Sequence, residues 1–134
     1  MFNGNCEAAF RRYRSIFGGE FQFLGRYKDA PKQNGKLFPE SNAERIMHVS
    51  LPISQETILM GADHIHNHDP AKGMQQNFAL YLSTDTVKEA DRLFQALSEG
   101  GNIIVPIAKQ FWNSYYGLCE DQFGIRWKIS TPLD

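Results

Sequence analysis

Cysteine is scarce, long apolar runs are missing, and neither sign of charge dominates. The two cysteines, Cys6 and Cys119, match no metal-ligand spacing and could form at most one bridge. That excludes a disulfide scaffold and leaves two buried or half-buried thiols as the expectation. The longest apolar runs, such as residues 103–105, fall far short of the ~20 residues that cross a bilayer. Met1 is followed by Phe-Asn-Gly-Asn rather than by a basic and then an apolar signal region, so a soluble cytoplasmic protein without membrane contact is expected. Fourteen Lys and Arg stand against fifteen Asp and Glu, a formal charge of −1. No cation excess is left to neutralise a phosphate backbone, and no nucleic-acid partner is expected. What is present is ordinary globular material: 42% hydrophobic residues in a chain of 134, enough to bury a core and short enough to be one domain.

Periodicity divides that material into elements. Residues 6–17 place Ala8, Ala9, Tyr13, Ile16 and Phe17 at helical spacing, with Asn3 or Asn5 as N-cap and Gly18-Gly19 as the stop. Residues 20–27 and 46–51 alternate as strands, the second with Met47, Val49 and Leu51 on its core face and His48 and Ser50 opposite. Residues 28–45, with Pro31, Asn34-Gly35 and Pro39, read as a polar loop, and residues 56–61 as a further strand. A connector is expected at 63–76. The same order then returns: a strand at 77–83, a helix at 86–98 stopped by Gly100-Gly101, and strands at 102–107, 115–119 and 125–130. A shift of 81 places Ala9 on Ala90, Tyr13 on Phe94, Ile16 on Leu97 and Gly19 on Gly100. The chain therefore reads as one unit used twice, module one at 1–62 and module two at 77–134, with most of the opening strand of module one falling before Met1.

The run Phe2-Asn-Gly-Asn-Cys-Glu-Ala-Ala-Phe leads into Tyr13 and Phe17-Gly-Gly. Further on come Ile46-Met-His-Val-Ser-Leu, Asp91-Arg-Leu-Phe-Gln-Ala-Leu-Ser-Glu-Gly-Gly, Phe111-Trp112 and Asp121-Gln-Phe-Gly-Ile-Arg-Trp. Together these resemble the vicinal oxygen chelate superfamily, the glyoxalase, bleomycin-resistance and extradiol dioxygenase group, and within it the PhnB-like branch labelled demethylubiquinone methyltransferase-like. The resemblance covers almost the whole chain. It implies an α+β fold of two βαβββ modules forming a cup-shaped mixed sheet, a homodimer, and a divalent metal at the floor of the cup. Carried over residue by residue, the metal positions hold Met60, Asn77 and Lys128, with the fourth before Met1. A thioether, an amide and an amine are poor ligands for such an ion, so no metal site and no cofactor are expected. Gly18-Gly19 and Gly100-Gly101 both follow helices, whereas a nucleoside-binding turn would precede one. A cofactor-dependent methyltransferase is therefore not expected.

The chemistry-bearing candidates each have a bland counterpart. His48 is either a general base or ligand-binding group on the cup face, or a structural histidine bonded to a neighbouring strand. His64, His66 and His68 alternate and could grip zinc or nickel if extended, or belong to a solvated polar loop. Trp112, Tyr115 and Tyr116 with Phe111 make either a ligand wall or packing for a core or dimer. Trp127 has core parity. Arg126, Lys128 and Ser130 take the opposite face, joined by Tyr81 and Ala79, where two cations would favour an anion unless Glu56 or Asp121 pairs with them. The expected function is binding of a small polar or anionic organic molecule through His48, Met60, Asn77, Tyr81, Trp112, Tyr115, Arg126 and Lys128. The alternative is a metal-dependent lyase, isomerase or dioxygenase.

Overall fold

Residues 1–30, 40–65 and 78–133 are described by a computed structural model of the chain. It divides into two compact units, Met1–Gly73 and Met74–Asp134. The first is built on helix α1, Cys6–Phe17, whose buried stripe is Cys6, Ala9, Phe10, Tyr13 and Ile16. This helix packs on an antiparallel sheet of β1 (Phe23–Arg26), β2 (Ile46–Pro52) and β3 (Ile58–Gly61), in that spatial order. A Cβ at Gly61 would lie 2.5 Å from the Phe10 ring, so glycine is what lets the helix seat on β3.

Two expectations are corrected in this unit. The β1–β2 ladder shifts between Gly25 and Arg26: Gly25 faces His48 while Arg26 faces Ile46, leaving Met47 as the extra residue of a bulge. The buried apolar residues of β2 are consequently Ile46, Val49 and Leu51, and Met47, which simple alternation sends to the core, is only half-buried. Asp63, read from the sequence as connector, is 1% exposed and belongs to unit one. Phe2 makes an isolated parallel bridge to it, with the Phe2 N–H donating to the Ala62 carbonyl and the His64 N–H to the Phe2 carbonyl. Its carboxylate accepts the N–H groups of Gly4, Cys6 and Ile46 at 2.8–3.0 Å. Asn5 stands at the N-cap position of α1 without a side-chain cap bond, and Asp63 instead accepts the N–H of Cys6, the first residue of the helix.

Unit two runs β4 (Leu80–Ser83), α2 (Val87–Ser98), β5 (Asn102–Lys109), β6 (Ser114–Glu120) and β7 (Arg126–Pro132). Thr86 caps α2 by accepting the Glu89 N–H, a local Thr-x-x-Glu arrangement. The sheet order is β4-β7-β6-β5, with β4 parallel to β7 and the other pairs antiparallel. Ala90, Leu93, Phe94 and Leu97 form the buried face of α2, and Cys119, Trp127 and Ile129 are buried on the strands. A Cβ at Gly117 would lie 2.7 Å from the Phe94 ring. Asp121 accepts from Trp127 Nε1 at 2.9 Å and from the N–H groups of Phe123 and Ile125, which fixes the β6–β7 turn.

Both helices bury the residues that the shift superposes, Ala9, Tyr13 and Ile16 against Ala90, Phe94 and Leu97. Gly19 and Gly100 both take positive φ, 80° and 77°, just past their helices. Among the described residues, two α-helices and seven strands in two sheets make an α+β fold. Among the described residues, no helix is long and apolar enough to cross a membrane.

Candidate functional site

Alternation gives each sheet a face packed on its helix and a face turned away from it. On the far face of unit one, Phe23, Ser50 and Met60 form one cross-strand row, and Gly25 and His48 stand in the next. His48 is half-buried, and its Nε2 lies 2.8 Å from Ser50 Oγ. The Phe23 ring centroid is 5.9 Å from the imidazole at 41°. A Cβ at Gly25 would come 2.8 Å from the Phe23 ring, so the missing side chain is what allows that ring its position. Met60 is 59% exposed.

On the far face of unit two, Tyr81, Lys128 and Leu118 share one row, flanked on one side by Ser83, Ser130 and Tyr116 and on the other by Arg126 and Glu120. Arg126 Nε is 3.4 Å from Glu120 Oε2, so its partner is its own cross-strand neighbour rather than Glu56 or Asp121. Lys128 and Tyr81 are exposed, and Lys128 has no ion pair among the described residues. Trp112 sits in the β5–β6 turn, edge-on to Phe111 at 4.8 Å and to Tyr116 at 5.9 Å. Those contacts tie the aromatic turn to the face that carries Lys128.

Tyr115 is placed elsewhere. It has the parity of Gly117 and Cys119, on the helix side, and its hydroxyl donates to Asp91 Oδ1 at 2.6 Å, which holds the phenol pKa up. Its side chain is therefore engaged with α2, on the other side of β6 from the row of Tyr81 and Lys128. Asn77, His66 and His68 lie outside the described residues, and the half-buried His64 donates its backbone N–H to Phe2. The thioether of Met60 and the ammonium of Lys128 do not fit a divalent ion. Among the described residues there is no group of three or more His, Cys, Asp or Glu that could hold a metal.

Sequence reasoning did not single out Ser50 as a partner of His48. The signal was present, since residues i and i+2 of a strand share a face and a histidine reaches a serine across that spacing. Glu120 was missed as well, because cross-strand register rather than sequence distance brings it to Arg126.

Residues 1–130 match the family model described as 3-demethylubiquinone-9 3-methyltransferase. Protein PA1353 from Pseudomonas aeruginosa is 32% identical, with 99% of this chain and 93% of that chain covered and a TM-score of 0.80. Protein YjdN of Escherichia coli K12 is 28% identical over 97% of this chain and 90% of its own length. A glyoxalase/bleomycin resistance protein/dioxygenase family enzyme from Burkholderia phytofirmans shares the fold at 15% identity and a TM-score of 0.60, over 99% and 94% of the two chains. The doubled helix-and-sheet unit, the paired helix-ending glycines and these matches lead to one placement: the chain belongs to the 3-demethylubiquinone-9 3-methyltransferase family and shares its fold with glyoxalase/bleomycin resistance/dioxygenase proteins.

Proposed function

We propose that this protein binds a small anionic or polar organic molecule, and does so without a divalent metal at the superfamily's usual ligand positions. The observation that carries this is Lys128, an exposed cation in register with Tyr81 that no carboxylate among the described residues neutralises. A ligand carboxylate or phosphonate meeting that ammonium gains roughly 1 to 4 kcal/mol, depending on how much water the contact excludes. The Trp112 and Tyr116 rings supply apolar surface on the same face, in keeping with pockets that combine aromatic walls and a few placed charges. Arg126 contributes less, because Glu120 already occupies it. On unit one, His48 is assigned to hydrogen bonding with ligand rather than to folding. The family description names methyl transfer, but the glycine pairs end helices here, so a nucleoside cofactor is not part of the proposal.

Calorimetric titration of organic acids into the wild type and Lys128→Met tests it. Anions should bind the wild type and lose about tenfold or more in affinity in the variant. Equal binding to both, or stoichiometric metal held by untagged protein and lost on replacing Asn77, would favour the metal-dependent enzyme instead. His48→Ala should melt within a few degrees of the wild type, since one partly solvated hydrogen bond contributes roughly 0.5 to 1.5 kcal/mol. The proposal includes a homodimer, supported by the exposed Ile103, Ile104 and Phe111 on β5 and its turn. Sedimentation at micromolar concentration showing only the 15.3 kDa species would remove it.

A further inference from the structure

We infer that Ser50 sets the tautomer of His48: its hydroxyl donates to Nε2, so the neutral imidazole carries its proton on Nδ1 and offers that N–H to an oxygen acceptor of the ligand. This rests on the ligand-handling role given to His48 above and makes His48 the donor in that hydrogen bond.

Hydrogen counting leads there. Ser50 Oγ and His48 Nε2 are 2.8 Å apart, and Ser50 is 4% exposed. This is the one hydrogen bond of the Ser50 side chain among the described residues. Were Nε2 protonated and donating, the hydroxyl proton would be buried with no acceptor among those residues, the costly arrangement for a polar group. With the hydroxyl as donor, both atoms are satisfied by a single bond. A neutral imidazole that accepts at Nε2 must carry its proton at Nδ1. No bond to Nδ1 is present among the described residues. The Phe23 ring flanks the imidazole at 5.9 Å. His48 is thereby prepared to hydrogen-bond a carbonyl, carboxylate or phosphonate oxygen, and Ser50 is a positioning residue acting through it.

The test is nitrogen NMR of the full chain labelled at its histidines, recorded at pH 8 for the wild type, Ser50→Ala and Ser50→Thr, with His48 assigned by its loss in His48→Ala. The expected wild-type signature is a pyridine-type Nε2 and a pyrrole-type Nδ1. Ser50→Thr should keep it, and Ser50→Ala should move Nε2 toward the pyrrole type. A wild-type Nε2 that carries the proton overturns the inference, even if Ser50→Ala fails to fold. A benzoate titration gives the second arm: the His48 Nδ1–H resonance should shift downfield. Calorimetric binding of benzoate with that resonance unmoved would overturn the donor role. The tautomer readout needs no ligand, so an absence of benzoate binding would count against the anion-binding function and leave the Ser50–His48 assignment standing.

Discussion

The two units share a plan and differ in how it is held together. Helix α2 is capped by its own neighbour, Thr86, three residues from the donor it satisfies. Helix α1 is capped by Asp63, 57 residues from Cys6 along the chain, through a carboxylate that also takes the Ile46 N–H of β2. In unit two a full strand, β4, runs parallel beside β7, whereas in unit one the parallel pairing is a single bridge between Phe2 and Asp63. The helix-facing sides remain chemically alike, with a glycine in each sheet admitting a ring from the helix. The far faces do not: one carries an imidazole and a hydroxyl, the other a lysine and phenols. Packing demands the same solution twice, and the side turned away from packing is free to take up different chemistry.

The largest expected effect breaks the comparison at the caps. Asp63→Ala strands three backbone donors, two of them in fully buried bonds, and should cost on the order of 3 kcal/mol or more in denaturant unfolding. Thr86→Ala should cost about 1 kcal/mol. Equal losses would mean that the long-range cap of unit one is no more than a local one. The second experiment sharpens the likeness. Gly61→Ala and Gly117→Ala should each cost about 1–3 kcal/mol, because Phe10 and Phe94 are 1% and 5% exposed and have little room to retreat. A neutral substitution at either position would show that helix and sheet in that unit are less tightly seated than the distances imply.

The smallest effect concerns acid. The Arg26 and Arg11 guanidiniums hold the Glu7 carboxyl down at about 2, and Arg26 lies on β1, so this ion pair joins the helix to the sheet. Glu89 is also lowered, but by Arg92 within its own helix. A depressed carboxyl contributes stability that is fully present above its ordinary pKa of 4.5 and is lost as pH falls toward 2. Glu7→Gln should therefore flatten the stability profile between about pH 4.5 and 2. The change should be small because the pair is partly solvated. Glu89→Gln should leave the packing of α2 on its sheet unaffected by acid. An unchanged acid profile in Glu7→Gln would count against Glu7 as a tie between helix and sheet.

Much of the fold was legible because the helices and strands announce themselves locally. Ala9, Tyr13 and Ile16 of the α1 stripe and the glycine stops follow from spacing and turn chemistry alone, although the expected stripe included Ala8, which is exposed, and missed Phe10. What was not legible depends on register. The bulge at Met47 exchanges one buried residue for another without leaving a mark on the apolar pattern of β2. Asp63 looks like connector because its partners are the backbone N–H groups of distant residues, which no side-chain pattern records. At the candidate site, alternation placed Tyr81, Lys128 and His48 on the far faces of their sheets, whereas the side of β6 that Tyr115 takes needed the strand register. Arg126 was recognised as a cation, but its neutralisation by Glu120 needed the β6–β7 register.

The two cysteines fall one to each unit, both unpaired and fully buried against their helix-packed sheets. Burial pushes the Cys6 thiol up to about 12 and the Cys119 thiol up to about 11, so neither supplies appreciable thiolate while its surroundings stay closed. Alkylation at either sulfur must then wait for the segment around it to open. The chain thus carries a separate built-in clock for each half: the rate at which Cys6 is labelled times the opening of the α1 side, and the rate at Cys119 times that of β6.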